Sequence, residues 1–160
     1  SDVCSSDLPE MTATAAAEPT VTTRFGTIAY REEAVLDFPH GLPGFPGNRR
    51  FLFAPVPRAE GTFQLLHGLD GDAVDLVVVP LESLGERLDP ADVEAARVGL
   101  EIPAADLLVL CVVTLPAGAG AGTPRVNLRA PVFVDVGRRV AVQMVLPNSG
   151  YPFREPLQAA

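Results

Sequence analysis

Hydrophobic positions along the chain fall in short runs that alternate or cluster, and Pro or Gly closes each run. Residues 21–30 alternate through Val21, Thr23 and Phe25, then continue as Ile28 and Tyr30 beyond Gly26, where a bulge or tight bend is expected. Residues 34–38, 51–54, 63–66 and 76–79 are further short strands by the same pattern. Residues 107–115 are apolar on both faces, which predicts a central strand, because burial on two sides suppresses polar alternation. Residues 132–134 and 140–146 complete the set, and Gly137-Arg138-Arg139 between them suits a hairpin connection.

One helix is signalled. Asp89 suits the cap, Pro90 the first turn, and Asp92 and Glu94 lie near the positive end of the helix dipole. Val93, Ala96 and residues 98–100 give it a weak apolar face, which predicts a helix lying on the sheet and covering one end, and Gly99 is the expected stop. Many short strands with one or two short helices predict a mainly β fold. The expected form is a small antiparallel β-barrel, OB-like or pseudo-barrel, since closure hides the sheet edges.

Composition sharpens this picture. The chain has 160 residues, enough for one core, and 48% of them are hydrophobic, so it is not disordered overall. No apolar run approaches the roughly 20 residues of a membrane-spanning helix. The net charge is −8, and all 12 basic residues are Arg, in the Ala-, Gly- and Pro-rich composition that a GC-rich coding genome produces. An acidic chain without a basic cluster is poorly suited to nucleic acid, where phosphate contacts supply most of the affinity. Its charge instead steers encounter with a basic protein partner.

The beginning of the chain reads differently. Residues 1–8 match the in-frame translation of a common sequencing adapter, so an assembly artefact is expected there, with a natural start near Met11. Residues 1–20 as a whole read as a disordered leader, with neither the basic nor the apolar region of a secretory signal. A single domain is expected over residues 21–157. The Ala/Gly run at residues 117–122 is a flexible loop by composition, a surface insertion before a functional lid. With no export signal and no disulfide pair between Cys4 and Cys111, the cytoplasm is the default location.

Candidate chemistry is sparse. His40 and His67 have no second ligand at metal spacing, Cys111 sits in the most apolar strand, and no hydrolase elbow, phosphate loop or dinucleotide fingerprint is present. No catalytic, metal or cofactor residue is therefore nominated. In residues 36–46 the pair Pro43-Gly44 suits the centre of a type II turn, with Gly41 and Gly44 as turn residues. Phe38, Leu42 and Phe45 around it either plug one end of the barrel or form an apolar rim for a partner helix. Asn127 is placed to bond backbone at a turn, Pro131 to mark an edge or bulge, and Arg154 either to anchor the tail or to face a partner.

Three ordered segments together resemble the FliW family of flagellar assembly factors. They are residues 36–46 followed by Arg50-Phe51, residues 127–135, and residues 143–146 followed by 151–157. The resemblance covers residues 21–157, although His67, Gly68 and Gly71 depart from the family pattern around residues 68–73. It implies a cytoplasmic protein that binds newly made flagellin and also binds CsrA, an RNA-binding repressor of flagellin translation. Secretion of flagellin would then free the protein to relieve repression, a coupling that needs only unfavourable joint binding of the two ligands. Partner-binding residues are expected among Phe38, His40, Leu42, Pro43, Phe45, Asn127, Arg129 and Arg154, with no cofactor and no catalysis, and a monomer is expected because no coiled-coil or helical dimer stripe is visible. An OB-like nucleic-acid module is the rival reading. It needs a basic groove with exposed aromatics, and 12 scattered Arg do not supply one.

Overall fold

The structure, a computed structural model, describes residues 18–56, 63–116, 122–148 and 150–157. The leader up to residue 17 and residues 117–121 of the Ala/Gly run, both singled out by composition, lie outside them. In chain order the strands are β1 (Thr20–Thr23), β2 (Gly26–Ala29), β3 (Val35–Asp37), β4 (Arg50–Pro55), β5 (Gln64–Gly68) and β6 (Asp75–Pro80). Helix α1 (Pro90–Gly99) follows, then β7 (Leu107–Thr114), β8 (Arg125–Val126), β9 (Val132–Asp135), β10 (Val140–Gln143) and β11 (Glu155–Pro156). Short 3-10 turns occupy Glu32–Ala34, Leu81–Leu84 and Ala104–Asp106.

Seven strands close into a barrel in the order β9-β10-β3-β4-β5-β6-β7, and β7 pairs back onto β9. All pairs are antiparallel except the single β10–β3 contact at Val140 and Asp37. Closure removes the exposed sheet edges that an open sheet of this size would carry. The expected small barrel is thus observed.

Alternation along each wall strand sorts the side chains into two cores. Leu110 of β7, Val132 and Val134 of β9, Val78 of β6 and Phe51 of β4 point into the barrel with Phe38 and Leu66. Val109, Cys111 and Val113 of β7, Phe133 of β9 and Val77 and Val79 of β6 point outward into a second core. That outer core is covered by α1, through Val93 and Ala96, and by Tyr151 and Leu157 of the C-terminal segment. This two-sided burial is why β7 shows no polar face in sequence. Burial pushes the Cys111 thiol up to about 12, so it is an inert core residue.

The helix starts as its sequence indicates, with the Asp89 side chain accepting the Ala91 N–H at 2.9 Å. It also ends at Gly99, the expected stop. Gly99 remains helical, and the left-handed residue is Glu101 at φ 60°. Ile102 N–H reaches Arg97 C=O and Glu101 N–H reaches Val98 C=O, the two bonds of a Schellman motif built on a non-Gly residue. In residues 21–30 the tight bend, and not the bulge, is realised. They fold as a separate β1–β2 hairpin turning at Arg24-Phe25, and Gly26 (φ 126°) opens β2 instead of bulging one continuous strand.

Candidate interaction surfaces

The loop between β3 and β4 consists of two consecutive turns. Gly41 N–H donates to Phe38 C=O at 2.9 Å, closing the first. Phe45 N–H donates to Leu42 C=O at 2.8 Å around Pro43-Gly44, and Gly44 has φ 90°, as the third residue of a type II turn requires. Gly41 is held against Pro46, whose carbonyl oxygen lies 3.0 Å from where a Cβ would stand. The loop therefore has little freedom, and the direction of each side chain is set.

That direction decides between plug and rim for two of the three apolar residues. Phe38 and Leu42 are buried, at 0% and 3% exposure, and Phe38 meets Phe51 edge to face with ring centroids 4.9 Å apart. Their side chains plug the barrel end and present almost no surface to solvent. Phe45 is half-buried against the same core, while His40 and Pro43 are exposed. Of the candidate residues in this loop, His40, Pro43 and Phe45 are the ones that reach the surface.

Asn48, which sequence reasoning passed over, holds this loop to its neighbour. Its side chain is buried, its Nδ2 donates to Asp70 C=O at 2.5 Å and Asp72 C=O at 2.7 Å, and its Oδ1 accepts Asp72 N–H at 3.2 Å. Asp70 answers by accepting the Arg49 and Arg50 N–H groups at 3.0 and 3.1 Å. Gly68 makes room, since a Cβ there would stand 2.7 Å from Asn48 Nδ2. An Asn followed by two Arg gave no signal in sequence, because its partners lie more than 20 residues away.

The second candidate segment, residues 127–131, joins β8 to β9, which line the same edge of β7. Asn127 Oδ1 accepts the N–H groups of Arg129 and Ala130, each at 3.0 Å, so this oxygen is committed to the turn, as its position suggested. Pro131, buried and without an N–H, occupies the break between the two strands, and its C=O accepts Met144 N–H at 3.0 Å. Arg129 is half-buried, its guanidinium lies 5.2 Å from the Phe153 ring centroid, and its Nε is buried with no hydrogen-bond partner among the described residues. Phe153 is 50% exposed.

The C-terminal segment is fixed by its backbone. Leu128 N–H donates to Pro152 C=O, Leu157 N–H to Pro124 C=O, and Arg125 Nη1 to Arg154 C=O. The Tyr151 hydroxyl donates to Asp92 Oδ2 at 2.5 Å and accepts Asp89 N–H at 2.9 Å, tying this segment to the start of α1. The Asp92 carboxylate, as acceptor, pushes the Tyr151 hydroxyl pKa up. The Arg154 side chain is exposed and makes no ion pair or hydrogen bond among the described residues. Arg129 and Phe153 thus form a basic, aromatic contact at the surface, with exposed Arg154 next in the chain, separate from the turn at residues 38–48.

His67 is buried beside Asp75, with Nδ1 and Oδ1 2.6 Å apart, and the other Asp75 oxygen accepts Arg24 N–H at 3.0 Å. The pair secures the β1–β2 hairpin to the barrel. Among the described residues no group of His, Cys, Asp and Glu could hold a metal ion. None of their helices is long and apolar enough to cross a membrane.

The fold and these surfaces define a small closed β-barrel with one covering helix and exposed patches suited to protein contact. Compared with known proteins, residues 19–157 match the family model described as FliW protein, and the chain belongs to that family. It is 32% identical over 136 residues to a flagellar assembly factor FliW from Clostridium novyi, covering 82% of this chain and 91% of that protein. It is 30% identical over 136 residues to the flagellar assembly factor FliW of Thermotoga maritima, covering 84% and 90%. A crystal structure of the flagellar assembly factor FliW superposes with a TM-score of 0.65 at 22% identity, covering 88% of this chain and 98% of that one, which shows the shared fold.

Proposed function

We propose that the protein is a non-catalytic flagellar assembly factor of the cytoplasm that binds flagellin and antagonises the translational regulator CsrA. Flagellin synthesis is thereby coupled to filament assembly. The observation that carries this reading is the family match across residues 19–157, nearly the whole described barrel. The net charge of −8 supports it, since it favours approach to basic proteins and disfavours direct nucleic-acid binding.

Two surfaces are offered for the partners. One is the turn carrying exposed His40 and Pro43 with half-buried Phe45; the other is the Arg129 and Phe153 contact, with exposed Arg154 next in the chain. The protein acts as a monomer with no cofactor. Isothermal titration of the chain against its organism's own flagellin tests the reading, with single-stranded DNA as the control. Heat on flagellin and none on DNA is expected, whereas binding to DNA alone would replace this reading with the nucleic-acid one.

A further inference from the structure

Between α1, residues 81–88 and the first residues of β7 lies an open groove of about 400 Å³. Its floor is Leu88 and Val109, both buried, and its walls are the half-buried Leu81, Val93, Leu107 and Leu108. These aliphatic groups belong to the two cores of the barrel wall or pack on them, so the groove is a stretch where the core is left uncovered. Helix α1 does not close it, because Ala96 is its one buried residue and half-buried Val93 forms only one wall.

The rim has a single sign. Glu82, Glu86 and Glu94 line it and no arginine does. Glu94 is paired with Arg97, while Glu82 and Glu86 are exposed and form no ion pair among the described residues. We propose that this groove seats a basic amphipathic helix of a partner protein, with aliphatic side chains against Leu88, Val93 and Leu107 and Arg or Lys beside Glu82 and Glu86.

Charge selects that occupant over the alternatives. A second copy of this chain carries the same excess of negative charge. The chain's own first 23 residues contain Asp2, Asp7, Glu10 and Glu18 and no basic residue, so they meet the rim with like charge. Nucleic acid and anionic lipid are repelled for the same reason. A helix laid in an apolar groove with flanking cations satisfies both features, the groove lying within the size range of roughly 300–1,000 Å³ typical of binding sites. The inference rests on the partner-binding reading only for which protein supplies the helix.

The test uses the full chain, 15N-labelled, and two synthetic helical peptides of about 15 residues, with Leu at helical i, i+3, i+4, i+7 spacing. One peptide carries Arg at its polar positions and the other Glu. The Arg peptide should shift the amide signals of Leu81, Val93 and Leu107, bind more weakly as salt rises, and lose at least tenfold in affinity to the Glu82→Arg/Glu86→Arg variant. Both substituted side chains are exposed, so the variant should fold as the parent does. Equal binding of the Glu peptide, shifts confined to the Phe153 patch, or an unchanged affinity in the variant would overturn the groove. Flagellin and CsrA are then titrated into both proteins. A partner that binds parent and variant alike removes the groove as its contact and leaves the proposed function standing. Binding of neither partner to the parent counts against the proposed function, while the peptide titration still decides the groove.

Discussion

Replacing Asn48 by Ala should be among the most damaging single changes outside the aliphatic core, and its effect should depend on Gly68. The side chain is 1% exposed and makes three hydrogen bonds that join the turn at residues 38–48 to the loop at residues 68–74. A net contribution of about 1 kcal/mol per bond gives a loss of roughly 3 kcal/mol. In a chain of this size each kcal/mol moves the melting temperature by about 2–4 °C, so a fall of about 6–12 °C is expected. Gly68→Ala drives a methyl group into the Asn48 amide, 2.7 Å away, and should cost about 1–3 kcal/mol in the parent. Once Asn48 is already Ala, that methyl group has room, and the second change should cost almost nothing. Urea denaturation of the four proteins of this double-mutant cycle measures the coupling. Strictly additive losses, or a melting temperature within about 2 °C of the parent for Asn48→Ala, would refute the clamp.

Three further outcomes follow from the same structure. In a Cys4→Ser background, Cys111 should resist a thiol reagent at pH 8 until the protein unfolds, as a stopped assay with and without denaturant would show. Because its folded pKa lies above the unfolded value of 9.0, stability is unaffected by this thiol below pH 9 and falls as pH rises from there toward about 12. Glu101→Gly should raise stability by about 0.5–1 kcal/mol in a thermal melt, since an L-residue at φ 60° is strained where Gly is not. Asp75→Ala should cost about 1–3 kcal/mol and speed hydrogen exchange at the Arg24 amide, because it strands both His67 and that N–H. Unchanged exchange there would mean that the hairpin is held by something else.

The parts legible in sequence are those decided locally. The Asp89-Pro90 helix start and the Pro43-Gly44 turn depend on a few adjacent residues, and β7 announced itself because both its faces are buried. The parts that were not legible depend on partners far along the chain. Asn48 reaches Asp70 and Asp72, Tyr151 reaches Asp89 and Asp92, and β8 and β11 are two residues each, too short for any pattern. Glu101 displaced Gly99 as the left-handed residue because the two Schellman bonds and the packing of buried Ile102 fix where the chain leaves the helix. The choice between plug and rim stayed open in sequence for a related reason. An aromatic and a leucine beside a turn look the same in sequence whether they plug a barrel or face solvent, and only the closed sheet sends Phe38 and Leu42 inward. The groove beside α1 went unread because its walls come from three separate segments, none of them amphipathic enough to stand out.

In the proposed function one small acidic barrel answers to both flagellin and CsrA. A complex of this chain with CsrA, isolated by gel filtration and titrated with the organism's flagellin, tests it most directly. Release of CsrA in proportion to the flagellin added is the predicted result. A folded sample that forms no complex with either protein, or a complex with CsrA that flagellin leaves intact, would contradict the account.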